Sequence, residues 1–335
     1  MMNVGVIGIG GYAAKILDCL DKRSSFQVVY GYHPDPVKAK RWDPKRGTAR
    51  LKDILSSQEI EAVFILTPTQ HHFKYCVQAI KAGKHVFVEK PLTHKLSDAR
   101  TIGKLLKGRS LRFFVGHNFR RQPWCREIKK IIESGRLGKI VSLVINKSHG
   151  GIYNLPANNW RADVQSHPEG PLATVGIHYF DLLHYWFGPV TAVNAVLKNV
   201  AGLGTAPDAN AVMLMLKTGA TVYLQTNYCQ CLEDFIHIYG TDGTVYCQNH
   251  RLVVRHGRDV GRIPSPSKEI KLADDRSIDE QIKEFYKSIK SGKSIETGFK
   301  EGLNSLCVLD ACGKSSNAGR WVKLDTYPDY FSGKK

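Results

Sequence analysis

The stretch Asn3-Val4-Gly5-Val6-Ile7-Gly8-Ile9-Gly10-Gly11-Tyr12-Ala13 decides how the rest of this chain is read. Residues 3–8 are a short, β-branched apolar run ended by glycine, the pattern of a strand buried on both faces. Residues 12–20 then place apolar side chains at helical spacing. Between them, Gly8-Ile9-Gly10-Gly11-Tyr12-Ala13 fits G-x-G-x-x-G/A. In that pattern the first glycine allows a tight turn, and the second lets backbone approach a pyrophosphate. A small third residue lets the helix pack closely, and the helix N-terminus offers amide donors and a favourable dipole. Strand before and helix after make this loop a candidate dinucleotide site rather than an incidental glycine turn.

Working outward, residues 26–30, 62–66, 85–88 and 112–115 read as further short apolar strands. Residues 72–81 read as a helix closed by Gly83. Strands alternating with helices of this size predict a parallel, doubly wound sheet. Beyond about residue 120 the pattern changes. A helix at 124–134 precedes longer, partly alternating strands at 140–148, 191–197, 211–216, 221–227, 235–240 and 251–255. Their close spacing, with turn signals at Lys217-Thr218-Gly219 and Thr241-Asp242-Gly243, predicts an antiparallel or mixed sheet. Helices at about 278–291 and 299–313 follow. The expected domains are a dinucleotide-binding domain over 1–120 and a substrate and oligomerisation domain over 121–335.

Composition narrows the class. At 335 residues the chain is long enough for roughly two domains. Hydrophobic residues at 42% and charged residues at 23% exclude collagen-like, disordered and coiled-coil classes. The 48 Lys and Arg exceed the 30 Asp and Glu by 18, which invites a nucleic-acid, membrane or anionic-ligand reading. The cations, however, spread over 38–50, 95–112, 120–139, 283–300 and the tail Lys334-Lys335, and no nucleic-acid-binding motif accompanies them. Salt-sensitive, non-specific association is the most they predict. Eight cysteines with no Cys-x-x-Cys spacing read as reduced thiols. The first residues lack the basic region of a signal peptide, and glycines interrupt their apolar run. A soluble, cytoplasmic protein without a membrane segment is expected.

At the end of the second strand, an NAD site usually carries an acid for the ribose 2′-hydroxyl. Here the sequence is Tyr30-Gly31-Tyr32-His33-Pro34-Asp35-Pro36, with Lys38 and Arg41 beyond. Tyr32 or His33 could stack on adenine while a cation, Lys38 or Arg41, meets a 2′-phosphate, which leans toward NADP. The alternative is that Asp35 merely caps the next helix and the lysines are solvated.

Val86-Phe87-Val88-Glu89-Lys90-Pro91 resembles the strand-end Glu-Lys-Pro signature of the glucose–fructose oxidoreductase, inositol dehydrogenase and rhizopine-catabolism (Gfo/Idh/MocA) family. Thr67-Pro68 with His72 resembles the family's T-P-N-x-x-H, with Thr69 in the Asn place. Gly116-His117-Asn118-Phe119-Arg120-Arg121 resembles the segment opening its second domain, and Glu133-Ser134-Gly135-Arg136-Leu137-Gly138 its helix exit. Trp160-Arg161 resembles its tryptophan–arginine pair, Gly176-Ile177-His178-Tyr179-Phe180-Asp181 its G-x-H-x-x-D motif, and Gly319-Arg320-Trp321-Val322 its terminal strand. The resemblance spans nearly the whole chain. It implies a Rossmann domain followed by an α/β domain whose large open mixed sheet covers the cofactor and supports a homo-oligomer, a dimer or tetramer. It also implies hydride exchange between NAD(P) and a hydroxyl or carbonyl of a sugar, inositol, sugar acid or nucleotide sugar. By the same resemblance Asn118, Arg120, Trp160 and Arg161 frame nicotinamide and substrate, and Thr67, Pro68, His72, Glu89 and Lys90 line the cofactor.

The residues support that chemistry on their own terms. Oxidising an alcohol needs a group to take the hydroxyl proton and a donor for alkoxide character. Lys90 follows a buried strand at the carboxyl edge of the sheet, where open α/β folds bind ligands, and Pro91 rigidifies its turn. His178 lies in an apolar helical stretch; a lone histidine there reads either as a hydrogen-bonded core residue or, by the resemblance, as an acid/base beside the lysine. Metal binding is the rival, because His178, Asp181 and His184 recur every third residue. At about 100° per residue they fan over roughly 120° of helix surface, too broad for one compact site. One departure matters: many family members hold an acid two places before the motif's glycine, and here Thr174 stands there. Threonine cannot act as a carboxylate. That tilts the substrate toward an anionic or nucleotide-linked sugar, with Arg120, Arg121 and Arg161 as its cations, and keeps open a weakly active or inactive cofactor-binding sensor.

Overall fold

The structure, a computed structural model, describes residues 1–156, 159–258 and 265–331; the tail lysines Lys334-Lys335 lie outside them. The chain forms two compact units. The first comprises Met1–Arg121 and Arg276–Leu306, the second Gln122–Asp275 and the chain from Cys307 on.

In the first unit β1 (Met2–Ile7), α1 (Ala13–Asp21), β2 (Phe26–Tyr32), α2 (Pro36–Trp42), β3 (Gly47–Thr48), α3 (Lys52–Leu55), β4 (Ala62–Ile65), α4 (His72–Lys81), β5 (His85–Val88), α5 (Leu96–Leu106) and β6 (Phe113–Val115) alternate. The six strands form one parallel sheet in the order β3-β2-β1-β4-β5-β6, the doubly wound topology expected. The strand order reverses between β1 and β4, so a crevice opens at their carboxyl ends.

In the second unit α6 (Pro123–Glu133), β7 (Ile140–Ser148), α7 (Ile177–Phe187), β8 (Val190–Lys198), β9 (Ala209–Leu216), β10 (Thr221–Gln225), β11 (Glu233–Gly240), β12 (Gly243–Gln248), β13 (Arg251–His256) and β14 (Ser267–Ile270) follow. The last elements are α8 (Ser277–Ser291), α9 (Phe299–Ala318) and β15 (Val322–Lys323). The nine strands of the second sheet run β14-β13-β12-β11-β7-β10-β9-β8-β15. Only β7 and β10 pair in parallel; the other neighbours are antiparallel.

Two details depart from the expectation. Residues 276–306 return to the first unit instead of continuing the second. The cause is Phe285 of α8, which is fully buried and meets Phe64, Phe87 and Phe114 edge-on at 5.5, 5.8 and 5.9 Å. These three side chains stack across β4, β5 and β6 and leave an apolar face that needs cover. The strand expected over 221–227 stops at Gln225 because the Asn210 side chain takes over the ladder's role. It accepts from the Thr226 N–H at 3.1 Å and donates to Thr226 Oγ1 at 3.0 Å. Strands β3, β12 and β14 and helices α3 and α5 have no counterpart among the expected elements. Among the described residues no helix is long and apolar enough to cross a membrane.

Candidate active site

In the first unit the ends of β1, β4 and β5 lie side by side, and each carries part of the sequence constellation. Gly8 ends β1 with φ +94°. A Cβ there would come within 2.7 Å of Thr67 Cγ2 and 2.9 Å of the Leu66 carbonyl carbon, so only glycine fits the crossing. Gly10 and Gly11 instead face open space, with nothing within 4 Å of a Cβ position. Buried Ala13 donates its N–H to Gly10 O at 2.9 Å and starts α1, whose N-terminus adjoins these exposed glycines. That is a cradle a phosphate can approach.

At the end of β2, Tyr32 packs edge-on to Tyr75 at 6.0 Å. His33 Nδ1 accepts the Asp35 N–H at 3.0 Å, and the Asp35 carboxylate accepts from the N–H groups of Val37 and Lys38 at 2.8 and 3.3 Å. Asp35 therefore caps α2, as the second of the two readings had it, and its carboxylate is turned to α2 rather than to a ribose diol. Lys38 is exposed.

After β4, Thr67 presents a buried Oγ1 with no protein partner. His72 is fully buried, its Nδ1 2.8 Å from Pro91 O and its Nε2 2.9 Å from Thr67 O. Burial pushes this imidazole down to about 4 against the pull of those carbonyls, so it is neutral near pH 7. His72 thus braces the two turns that follow β4 and β5, and its ring is enclosed by protein.

Glu89 leaves β5 buried, its Oε1 without a hydrogen-bond partner and pressed on Gly116, where a Cβ would lie 2.9 Å from it. Oε2 accepts the Lys90 N–H at 3.2 Å, and a cis bond joins Lys90 to Pro91. Burial pushes the Glu89 carboxyl up to about 7, with Lys90 opposing. A carboxyl raised above its unfolded value of about 4.3 binds its proton more tightly in the fold. Stability then falls as pH rises from about 4.5 to 7 and levels off above. Glu89→Gln removes that slope, so urea unfolding between pH 5 and 9 should show the variant gaining on wild type as pH rises. A parallel decline in both proteins contradicts the assignment.

Asn118, Arg120 and Arg121 each hold a partner within the first unit. Asn118 Nδ2 donates to Ser277 Oγ at 3.2 Å, and Arg120 Nη1 to Glu296 O at 3.0 Å. The Arg121 side chain is 1% exposed; Nε and Nη2 both reach Glu284 Oε2, at 2.9 and 2.6 Å.

A bound nicotinamide dinucleotide fits these features. The open glycines and helix N-terminus suit its pyrophosphate, and the orphaned Thr67 Oγ1 offers a polar contact at the next strand end.

In the second unit, Trp160 and Arg161 open a short 3-10 turn capped by Asn159, whose Oδ1 accepts the Arg161 N–H at 3.0 Å. The guanidinium lies 4.6 Å over the Trp160 ring, and Trp160 meets His167 edge-on at 5.3 Å. Leu172–Gly176 forms a π-helical turn running into α7, an irregularity frequent at functional sites. Thr174 sits in that turn and bonds the Tyr228 hydroxyl. His178 is 7% exposed on the first turn of α7, Asp181 is fully buried, and His184 Nε2 pairs with Tyr330 OH at 2.8 Å. His184 is thus committed to the C-terminal segment. Among the described residues no group of three or more His, Cys, Asp or Glu is placed to hold a metal ion.

Two neighbours of Thr174 escaped the sequence reading. Tyr228 and His149 lie 4.7 Å apart, ring to ring. Nothing in local spacing marks them; they meet because β7 and β10 run parallel with Asn146 opposite Gln225, and each residue lies three positions beyond that pair.

Comparison with known proteins completes the picture. Residues 2–117 match the family described as "Oxidoreductase family, NAD-binding Rossmann fold", and residues 125–246 match the GFO/IDH/MocA C-terminal domain. The levoglucosan dehydrogenase of Pseudarthrobacter phenanthrenivorans is 25% identical over 85% of each chain. The inositol 2-dehydrogenase of Rhizobium meliloti is 25% identical over 81% of this chain and 83% of its own. An oxidoreductase of Desulfitobacterium hafniense, named for NADPH dependence, superposes with a TM-score of 0.90 at 26% identity, covering 97% of this chain and 98% of that one.

Proposed function

Because this chain belongs to the Gfo/Idh/MocA oxidoreductase family, whose first domain is an NAD-binding Rossmann fold, we propose that it exchanges hydride between a nicotinamide cofactor and the hydroxyl or carbonyl carbon of a sugar, polyol, sugar acid or nucleotide sugar. The observation that carries this reading is the row of strand ends in the first unit. The glycine turn after β1, Thr67 after β4 and Glu89-Lys90 after β5 stand on adjacent strands.

Gly8, Gly10, Gly11, Thr67 and Pro68 would hold the dinucleotide, which when bound supplies the hydride acceptor or donor. Lys90 holds the reacting oxygen by its ammonium group and favours its alkoxide character. His178 exchanges the hydroxyl proton. His72 keeps the turn that carries Lys90 in place through Pro91 O. By the family resemblance, Trp160 and Arg161 would contact nicotinamide and substrate.

For the adenosine end, the lean toward NADP rests on the Asp35 carboxylate being taken up by α2 and so not offered to a ribose diol, with Lys38 as the cation for a 2′-phosphate. A fluorescence titration with NADH and NADPH tests both points: saturable binding of either supports the cofactor assignment, and tighter NADPH binding that Lys38→Ala reverses supports the lean. Tighter NADH binding overturns the lean, and binding of neither overturns the function.

The second sheet supports association of copies. Asn194, Met213, Tyr223, Val144, His237, Tyr246 and Val253 pair in one unbroken row across seven strands. Met213 and Tyr223 in that row are 37% and 45% exposed. A sheet face that leaves Met213 and Tyr223 exposed in such a row suits docking of a second copy. Sedimentation should give a multiple of the chain mass; a monomer at micromolar concentration contradicts it.

A further inference from the structure

Around Thr174 in the second unit, Tyr228 and His149 present hydrogen-bond donors. The Thr174 and Tyr228 hydroxyls share one hydrogen bond, and when Thr174 donates, the Tyr228 O–H is left to point at a ligand. On the other side of the phenol, His149 Nδ1 accepts the Gly151 N–H at 2.9 Å. A neutral ring bonded in that way carries its hydrogen on Nε2. Burial and the charge of Lys147 both hold His149 below its ordinary value and so keep it neutral. Nε2–H is then a fixed donor, and among the described residues it has no acceptor.

The third donor is Arg161. The adjacent Ala162 packs in one buried cluster with Tyr228, and the Arg161 charge acts on the phenol against the effect of burial. Apart from its stack on Trp160 it meets no carboxylate among the described residues. Two acids of the second unit bond other groups. Asp163 accepts from Gln165 and Ser166, and Asp208 from the N–H groups of Val200 and Ala201 at 2.8 and 2.9 Å. Of the three arginines suggested for an anionic substrate, Arg121 pairs with Glu284 and Arg120 donates Nη1 to Glu296 O, both within the first unit. Arg161 is the one that belongs to the second unit with Tyr228.

We propose that His149, Tyr228 and Arg161 form a subsite for a carboxylate on the substrate, so that the enzyme takes a sugar acid in preference to the neutral sugar or polyol. The inference rests on the oxidoreductase reading and deepens it by naming the substrate class. A polyol needs acceptors as well as donors; a carboxylate accepts only, and it suits a guanidinium flanked by neutral donors. Thr174 in place of an acid belongs to the same design, because a carboxylate at that position would repel the ligand's own.

The test compares D-gluconate with D-sorbitol, which differ by a carboxylate against a hydroxymethyl group. Binding of each is measured calorimetrically on the full chain saturated with oxidised cofactor. Gluconate is expected to bind at least tenfold tighter, and His149→Ala and Tyr228→Phe to erase the difference while leaving cofactor affinity unchanged. Equal or tighter sorbitol binding overturns the subsite, as does weakening of both ligands alike in the variants or binding of neither. Thr174→Asp supplies a second arm: it should weaken gluconate and spare sorbitol. A protein that binds and oxidises neutral polyols without preference loses the subsite yet keeps the oxidoreductase reading; failure to bind cofactor removes the reading itself.

Discussion

Lys90→Ala should lower kcat by about a thousandfold while leaving the dissociation constant for NADH within a few-fold of wild type. A positioned proton-transfer or charge-stabilising group contributes on the order of 10²–10⁴ in rate. The lysine stands directly after β5, its main-chain N–H donating to the Glu89 carboxylate at 3.2 Å. The neighbouring Pro91 carbonyl is held by buried His72. A side chain presented from so constrained a turn is placed, not searching, and its loss should fall on kcat. Lys90→Arg retains charge but not the compact ammonium, and should rescue poorly. Full turnover in Lys90→Ala, read from the absorbance of the reduced nicotinamide, contradicts the role.

Arg121→Ala should cost roughly 3–5 kcal/mol of stability in the first unit, the usual effect of leaving one partner of a buried ion pair behind. The arginine side chain is 1% exposed, bonds Glu284 through two nitrogens, donates to His117 O at 3.1 Å and lies 5.1 Å from the Phe114 ring centre. It therefore ties the 3-10 turn after β6 to α8. A unit of about 150 residues loses about 2–4 °C of thermal midpoint per kcal/mol, so a drop on the order of 10 °C is expected in calorimetry. Below that transition KM for the substrate should be unchanged. A normal midpoint with a raised KM returns Arg121 to the substrate.

What the sequence made legible follows from range. The glycine turn, the strand–helix alternation and Lys90 are local patterns, and local patterns carry their own physics. Gly8 is glycine because Thr67 and Leu66 crowd it, and it could be recognised without either from the strand before it and the helix after it. Asp35 was ambiguous from its position alone, since one carboxylate can cap a helix or bind a diol; the backbone N–H groups of Val37 and Lys38 decide for the cap. Arg121 looked like a ligand cation because its partner, Glu284, is 163 residues away. His149 and Tyr228 were invisible for the same reason. Only the parallel pairing of β7 with β10 puts them on one edge, and an isolated parallel pair within an antiparallel sheet has no signature in the residues themselves.

The overall excess of 18 positive charges consequently has little to say about function beyond a few positions. Arg121 is spent on an internal ion pair with Glu284, whereas Lys38 is exposed and the Arg161 guanidinium stacks on Trp160.

The central claim is that this fold transfers hydride. The most direct measurement is nicotinamide absorbance in purified wild-type protein, given NAD+ or NADP+ and a panel of sugars, polyols, sugar acids and nucleotide sugars. Reduction of cofactor by at least one member, absent in Lys90→Ala, is the predicted result. A protein that binds cofactor yet reduces none of it with any member would contradict the claim and mark the chain as a cofactor-binding sensor.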